Sequence, residues 1–260
     1  MPESLQSYLD FITETIYLAG KTTLGYFQNG VMVDYKRDNS PVTVADRITE
    51  ELIRGRIEKQ YPGHAIIGEE FGIKNSPTAS HRWLIDPIDG TKSYIRGVPL
   101  YAVLLGLEIE GQVRVGGAYF PALDELICAA DGLGCWWNGR RARLSLVTDL
   151  SQAVVAFTDP VNISHYGKQD AWDRLQKSVY YRAGWGDAYG YMLVATGRVE
   201  IMLDPVMNVW DCAPFPPIFR ELGGYFGDWQ GNATIYANEA LATTQQLLPQ
   251  VLSILHGEEK

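Results

Sequence analysis

Asp86 and Asp89 stand three positions apart at the end of an apolar run, Leu84-Ile85-Asp86-Pro87-Ile88-Asp89-Gly90-Thr91. Carboxylates are hard oxygen ligands suited to divalent cations, and the Gly-Thr that follows can bring backbone N–H groups close to a phosphate. Two further acidic segments lie far off in the chain, Gly68-Glu69-Glu70 upstream and Trp210-Asp211 downstream. Together they point to metal-assisted chemistry on a phosphate ester. Singly, each has an ordinary structural use: Asp-Gly makes turns, paired glutamates cover solvated faces, and an Asp after Trp caps helices. For Asp211 alone, capping is the simpler role.

Such groups need rigid supports, and strand ends supply them while leaving the ligands open to substrate. Pro87 stiffens the link between the two aspartates, and Ile88 can contribute its carbonyl. Gly90 permits close approach, and Thr91 starts a short helix. Residues 4–28 carry Leu5, Leu9, Ile12, Ile16 and Leu24 at helical spacing, ended by Asn29-Gly30. A second helix is predicted from Val44 to before Pro62. Residues 64–68 and 82–86 read as short strands ending at acidic groups. From 101 to 138 the pattern is an antiparallel meander, with strands at 103–109, 113–120, 125–129 and 135–137. Beyond Ser151, strands (153–157, 199–203) alternate with helices (169–176, 187–196, one after Trp210, and 240–255). Pro216 and Pro217 would each cost about 3 kcal/mol inside a helix, so the helix after Asp211 is expected to start at Pro217 or be distorted.

A chain of 260 residues, 46% hydrophobic and 12% aromatic, has ample core material for one large domain or two lobes sharing a core. The expected division is an N-terminal α+β lobe, 1–148, carrying most of the acidic ligands, and a C-terminal α/β lobe, 149–260, carrying Asp211. The net charge of −9 argues against a general nucleic-acid or anionic-membrane surface. Cys128, Cys135 and Cys212 are too few and scattered for a disulfide framework or thiolate zinc site, and read as reduced core residues. His64, His81, His165 and His256 form no metal-ligand spacing. Met1-Pro2-Glu3-Ser4-Leu5 has no basic flank leading into a signal region, and no apolar run reaches the roughly 20 residues that span a bilayer. A cytoplasmic enzyme is the simplest expectation.

The order Gly-Glu-Glu, Asp-Pro-Ile-Asp-Gly-Thr, Trp-Asp, with Pro41-Val42-Thr43-Val44-Ala45-Asp46 and Val194-Ala195-Thr196-Gly197-Arg198, closely resembles the inositol monophosphatase family. The resemblance covers most of the chain. It implies a layered α/β/α/β/α sandwich, antiparallel in its first sheet and mixed in its second, with the site between the halves. It makes Glu69, Asp86, the Ile88 carbonyl, Asp89 and Asp211 ligands for two or three magnesium ions. Glu70 would lie just outside them or at a weaker third position. Gly90 and Thr91 would hold the phosphate, and Asp46, Thr91 and Glu69 would form the catalytic set, with Asp46 and the Thr91 hydroxyl orienting the attacking water. A homodimer is also implied. In chemical terms, paired cations would neutralise a phosphate dianion and activate water without a Ser, Cys or His nucleophile.

The substrate side departs from the inositol-preferring pattern. Asp187, in Tyr181-Arg182-Ala183-Gly184-Trp185-Gly186-Asp187, stands where a small neutral residue is usual, and residues 91–99 and 203–207 look similar to the histidinol-phosphatase branch. Asp204 and Arg182 fall at substrate-contact positions, with the Ile88 carbonyl. Histidinol phosphate carries an ammonium and an imidazole, either of which Asp187 or Asp204 could bind. Trp185, Tyr189 and Tyr191 could wall the imidazole, although core packing is their commoner use. Asp187 could equally be a helix N-cap. Other readings are an inositol or broad small-ester phosphatase and, of another class, a catalytically silent binding protein. The complete set Glu69, Asp86, Asp89 and Asp211 counts against silence.

Overall fold

The first helix, α1 (Leu5–Leu24), starts where the Ser4 hydroxyl accepts the Ser7 N–H, and buries Leu9, Ile12 and Ile16 along one face. The computed structural model describes residues 3–74 and 79–258. Met1 and Pro2 of the stretch read for a signal lie outside them. After α1 come β1 (Val33–Tyr35), β2 (Pro41–Thr43) and α2 (Val44–Gln60). Thr43 and Asp46 close a capping box on α2: the Asp46 carboxylate accepts the Thr43 N–H and hydroxyl, both at 2.7 Å.

The chain then builds β3 (Ala65–Gly68), β4 (Gly72–Lys74), β5 (His81–Asp89), the short α3 (Thr91–Ile95), β6 (Ala102–Ile109), β7 (Gln112–Phe120), β8 (Glu125–Ala130), β9 (Gly134–Trp137) and β10 (Arg140–Arg141). The larger sheet has the order β10-β9-β8-β7-β6-β5-β3-β4. It is antiparallel except where β3 runs parallel to β5, which sends Gly68 and Ile85 toward the same end. Next come β11 (Val154–Phe157), α4 (Pro160–His165), α5 (Gln169–Ser178), β12 (Tyr181–Ala183), α6 (Asp187–Ala195), β13 (Ile201–Asp204), α7 (Val209–Cys212), α8 (Phe215–Leu222), β14 (Gly224–Gly227), β15 (Ala240–Thr244) and α9 (Leu248–His256). The second sheet, β12-β11-β13-β15-β14, is mixed.

Five layers result. α1 and α2 pack on one face of the large sheet through Ile12, Ile16, Ile53, Leu105 and Val115. Its other face, through Leu104 and Phe120, meets α6 and α8, which also touch the second sheet at Met202 and Ala242. Trp172, Leu175 and Val251 of α5 and α9 cover the outer face of that sheet. Both faces of the central strands of these two sheets are therefore buried, while the edge strands β4 and β10 stay exposed, and β6 reads as a nearly continuous apolar run.

Two sequence expectations are corrected. The segment 240–255 is not one helix: Ala240–Thr244 is a central strand pairing with both β13 and β14. Its Ala and Leu residues favour helix intrinsically, but Leu241 faces one core and Ala240 and Ala242 the other. Tertiary packing overrides propensity here. The helix after Asp211 starts at Phe215 rather than Pro217, with its two prolines in the first turn where their missing N–H costs nothing. Asp211 sits before it in its own single turn, α7.

The junction after Asp211 rests directly on backbone. Gly106 and Gly116 are paired neighbours on β6 and β7, and a Cβ on either would overlap Ala213 or Pro214. Gly116→Ala is expected to destabilise the fold by about 1–3 kcal/mol through overpacking. Urea denaturation measures this, and an unchanged midpoint would refute the close-approach argument.

Candidate active site

Pro87 is the local reason that the two motif aspartates act together. In a regular strand, residues three apart face opposite sides. Pro87 has no N–H for the ladder, and β5 bulges there: Asp86 pairs with Leu104 and Asp89 with Ala102, so three steps on β5 match two on β6. The bulge turns both carboxylates toward one cavity. The Ile88 N–H donates to Asp86 Oδ1 at 3.0 Å, and the Ile88 carbonyl accepts the Thr91 hydroxyl at 2.9 Å. Gly90 has φ +76°, and a Cβ on it would lie 2.9 Å from the Leu100 carbonyl and 3.3 Å from Asp187 Oδ2. That position requires glycine.

α7 brings Asp211 to the same place. One oxygen closes a capping box on the Asn208 N–H at 2.7 Å, so the capping role exists. Asp86, Asp89 and Asp211 nonetheless present carboxylate oxygens all within 4.8 Å of one another. Glu69 lines the same cavity of about 510 Å³, with Ile88, Gly90, Thr91, Asp187 and Asp204. Asp89 is aimed by the start of α6, where the Ala188 N–H donates to its Oδ2 at 2.7 Å.

Electrostatics follow from this crowding. Burial first, then Glu69, Asp89 and Asp211, raise the Asp86 carboxyl well above its ordinary value. Burial first, then Asp187 and Asp211, raise Asp89 likewise. Burial lifts Asp211 to about 7 against the bond from Asn208. Carboxylates crowd this cavity, a donor set that fits hard divalent cations. Glu70 is lifted to about 7, mainly by burial.

Lys36 escaped the sequence reading. Its ammonium lies 2.7 Å from Glu69 Oε1 and 2.6 Å from Glu70 Oε1. Nothing in the local sequence links it to glutamates more than thirty residues on. Thr158, Asp159, Asn162 and Lys92 also line the cavity and were missed. Their signal was faint, since Asp159 reads as a cap and does accept the Val161 N–H at 2.9 Å. Asp46, expected in the catalytic set, is not among the residues lining the cavity; among the described residues its Oδ1 is buried without a hydrogen-bond partner, and burial raises its carboxyl despite the Thr43 bonds.

On the substrate side, Asp187 and Asp204 come together with the acidic cluster and Arg182 does not. Arg182 donates to the carbonyls of Gln176, Val179 and Tyr180 at 2.5, 3.0 and 3.4 Å, because the C-terminal end of α5 leaves carbonyls without partners within the helix. Asp187 is not an N-cap: Gly186 precedes the helix, and Asp187 is its first residue, at φ +53°. Its N–H is held by Thr158 Oγ1 at 2.8 Å, leaving the carboxylate on the cavity, where burial lifts it to about 6 against the pull of Lys92. Asp204 is 3% exposed, accepts the Tyr191 hydroxyl at 3.1 Å and is raised well above the usual range by burial. Tyr191 is core, Tyr189 packs on Phe120, and Trp185 is 41% exposed; none lines the cavity.

A family model described as the inositol monophosphatase family matches residues 4–259. The chain belongs to that family. This inositol monophosphatase relative is 41% identical over 253 residues to a histidinol-phosphatase of Chlorobaculum parvum, covering 96% of this chain and 97% of that one. It is 35% identical over 230 residues to a histidinol-phosphatase of Mycobacterium tuberculosis, covering 86% and 88%. The solved inositol monophosphatase of Anabaena superposes with a TM-score of 0.86 at 27% identity, over 97% and 96% of the two chains. The family member described here is a phosphatase. Among the described residues, no helix is long and apolar enough to cross a membrane.

Proposed function

We propose that this phosphatase hydrolyses L-histidinol phosphate to L-histidinol with magnesium. The observation that carries the reading is the placement of Asp187 and Asp204 on the same cavity as the Asp86–Asp89–Asp211 cluster. A neutral polyol gains little from two more carboxylates, whereas an ammonium and an imidazole gain charge-assisted bonds. The relatives named histidinol-phosphatase support the same substrate.

Glu69, Asp86, the Ile88 carbonyl, Asp89 and Asp211 would hold two or three magnesium ions, with Glu70 beside them. When bound, these ions supply Lewis-acid neutralisation of the phosphoryl oxygens and of the departing alkoxide. The chain itself binds the phosphate at Gly90 and Thr91, where the first-turn N–H groups of α3 have no partner within the helix. The Thr91 hydroxyl orients the attacking water from the cavity wall, with Asp46 acting from outside that lining. Lys36 moderates the charge of Glu69 and Glu70. Asp187 and Asp204 orient the cationic end of the ester, so the leaving oxygen faces the cluster. A homodimer and a cytoplasmic location belong to the same proposal; the three buried free cysteines support a reducing compartment. Light scattering would test the dimer.

A panel of histidinol phosphate, inositol 1-phosphate and a nucleoside 3′-phosphate, assayed with magnesium, tests the substrate. Equal or faster turnover of inositol phosphate would remove the histidinol assignment and leave the phosphatase intact. Asp187→Ala is expected to raise KM for histidinol phosphate about 10–100-fold by removing one bond to a charged group, with little change for a small neutral ester. A uniform effect across both esters would take Asp187 out of substrate recognition.

A further inference from the structure

We propose that the buried Glu50–Arg54 pair of α2 is a positioning device that sets the aim of Glu69 and Glu70, and so the magnesium affinity of the site; this rests on the metal-site reading above. Asp46, Glu50 and Arg54 follow one another at four-residue spacing, so one face of α2 looks onto the Gly68-Glu69-Glu70-Phe71-Gly72 turn. Glu50 is fully buried and Arg54 8% exposed.

Every oxygen of Glu50 is committed to this turn or to the arginine. Oε2 accepts the Glu70 N–H at 2.7 Å, and Oε1 accepts the Phe71 N–H at 3.2 Å and Arg54 Nε at 2.6 Å. Arg54 Nη2 completes the grip on the Gly72 carbonyl at 2.5 Å. A Cβ at Gly68 would collide with the Glu50 carboxylate, so the glycine before the two glutamates makes room for the clamp. The Glu69 N–H is meanwhile tied to the Ile85 carbonyl of β5 at 3.2 Å. Backbone on both sides of Glu69 is thus fixed, once to the strand carrying Asp86 and once to α2. A buried ion pair seldom adds stability over apolar residues of equal volume, so stability alone does not account for it. Fixing a ligand-bearing turn does.

Glu50→Gln keeps the volume but presents one acceptor oxygen to three donors. Its expected effect is at least a tenfold loss of Mg²⁺ affinity in calorimetric titration of the metal-free protein, with kcat recovering toward wild type at saturating magnesium. Glu200→Gln is the control: Glu200 is also buried and accepts a backbone N–H, that of Val154 at 2.7 Å, at the far end of β11. It should lower the melting temperature and leave Mg²⁺ affinity unchanged. Equal affinity losses in both variants, or none in Glu50→Gln, would overturn the positioning role. If Glu50→Gln does not fold, Arg54→Lys serves instead, since it keeps the charge but cannot hold both Glu50 and the Gly72 carbonyl. Wild-type protein giving no Mg²⁺ binding heat would overturn the metal reading itself, a separable result.

Discussion

Asp89→Asn should lower phosphate-ester hydrolysis about 10³-fold at saturating magnesium while the metal-free protein melts at an equal or higher temperature than wild type. The first half follows from ligand chemistry. A cation at a developing charge contributes several kcal/mol, and each 1.36 kcal/mol is a factor of ten in rate. The second half follows from geometry. Asparagine is nearly isosteric and still offers its oxygen to the Ala188 N–H, so α6 keeps its contact. One negative charge disappears from a group of three whose oxygens lie within 4.8 Å. A residue kept for stability would behave in the opposite way. Phosphate release and thermal melting together read the outcome, and near-wild-type turnover would remove Asp89 from the metal site.

The second large effect is on pH dependence. Folding raises Asp211 to about 7 and Asp187 to about 6, with burial the leading cause for each, and raises Asp86 and Asp89 in the same direction. A carboxyl whose folded value is raised favours the native state while protonated. That stabilisation is complete below the unfolded value near 4 and is lost as pH rises through the folded value. The metal-free protein should therefore lose on the order of 10 °C in Tm between pH 5 and pH 8. On the proposed metal-site reading, magnesium is expected to reverse the loss by replacing the missing protons. Its effect on Tm should be small at pH 5, where it competes with them, and large at pH 8. A magnesium effect independent of pH, or greatest at pH 5, would refute the coupling.

Much of the site was legible because its signals are local. Pro87 between two aspartates and Gly90 before Thr91 signal a stiff link and a tight approach from their own covalent geometry; the bulge itself shows only in the pairing of β5 with β6. Helical spacing on α1 and on α2 from Val44 similarly marks those elements without help from the rest of the chain. The parts that were not legible are long-range. Lys36 meets Glu69 and Glu70 only because β1, β2 and α2 bring the loop before Ser40 over the β3–β4 turn. Arg182 was expected at the substrate and is instead absorbed by carbonyls at the end of α5. Asp187 was weighed as a cap, yet its unusual backbone directs the carboxylate to the cavity.

The amino-acid sequence by itself determined the acidic residue types at 69–70, 86, 89 and 211, the paired helices α1 and α2, and the family to which the chain belongs. These are properties of short segments, where steric and hydrogen-bonding preferences act between neighbours. Only the tertiary structure decided that Ala240–Thr244 is a strand, that the Glu50 carboxylate accepts the backbone of the acidic turn, and that Asp187 and Asp204 share a wall with the Asp86–Asp89–Asp211 cluster. Each of those depends on burial against residues distant in the chain. Packing of that kind can outweigh a local preference of a few tenths of a kcal/mol per residue.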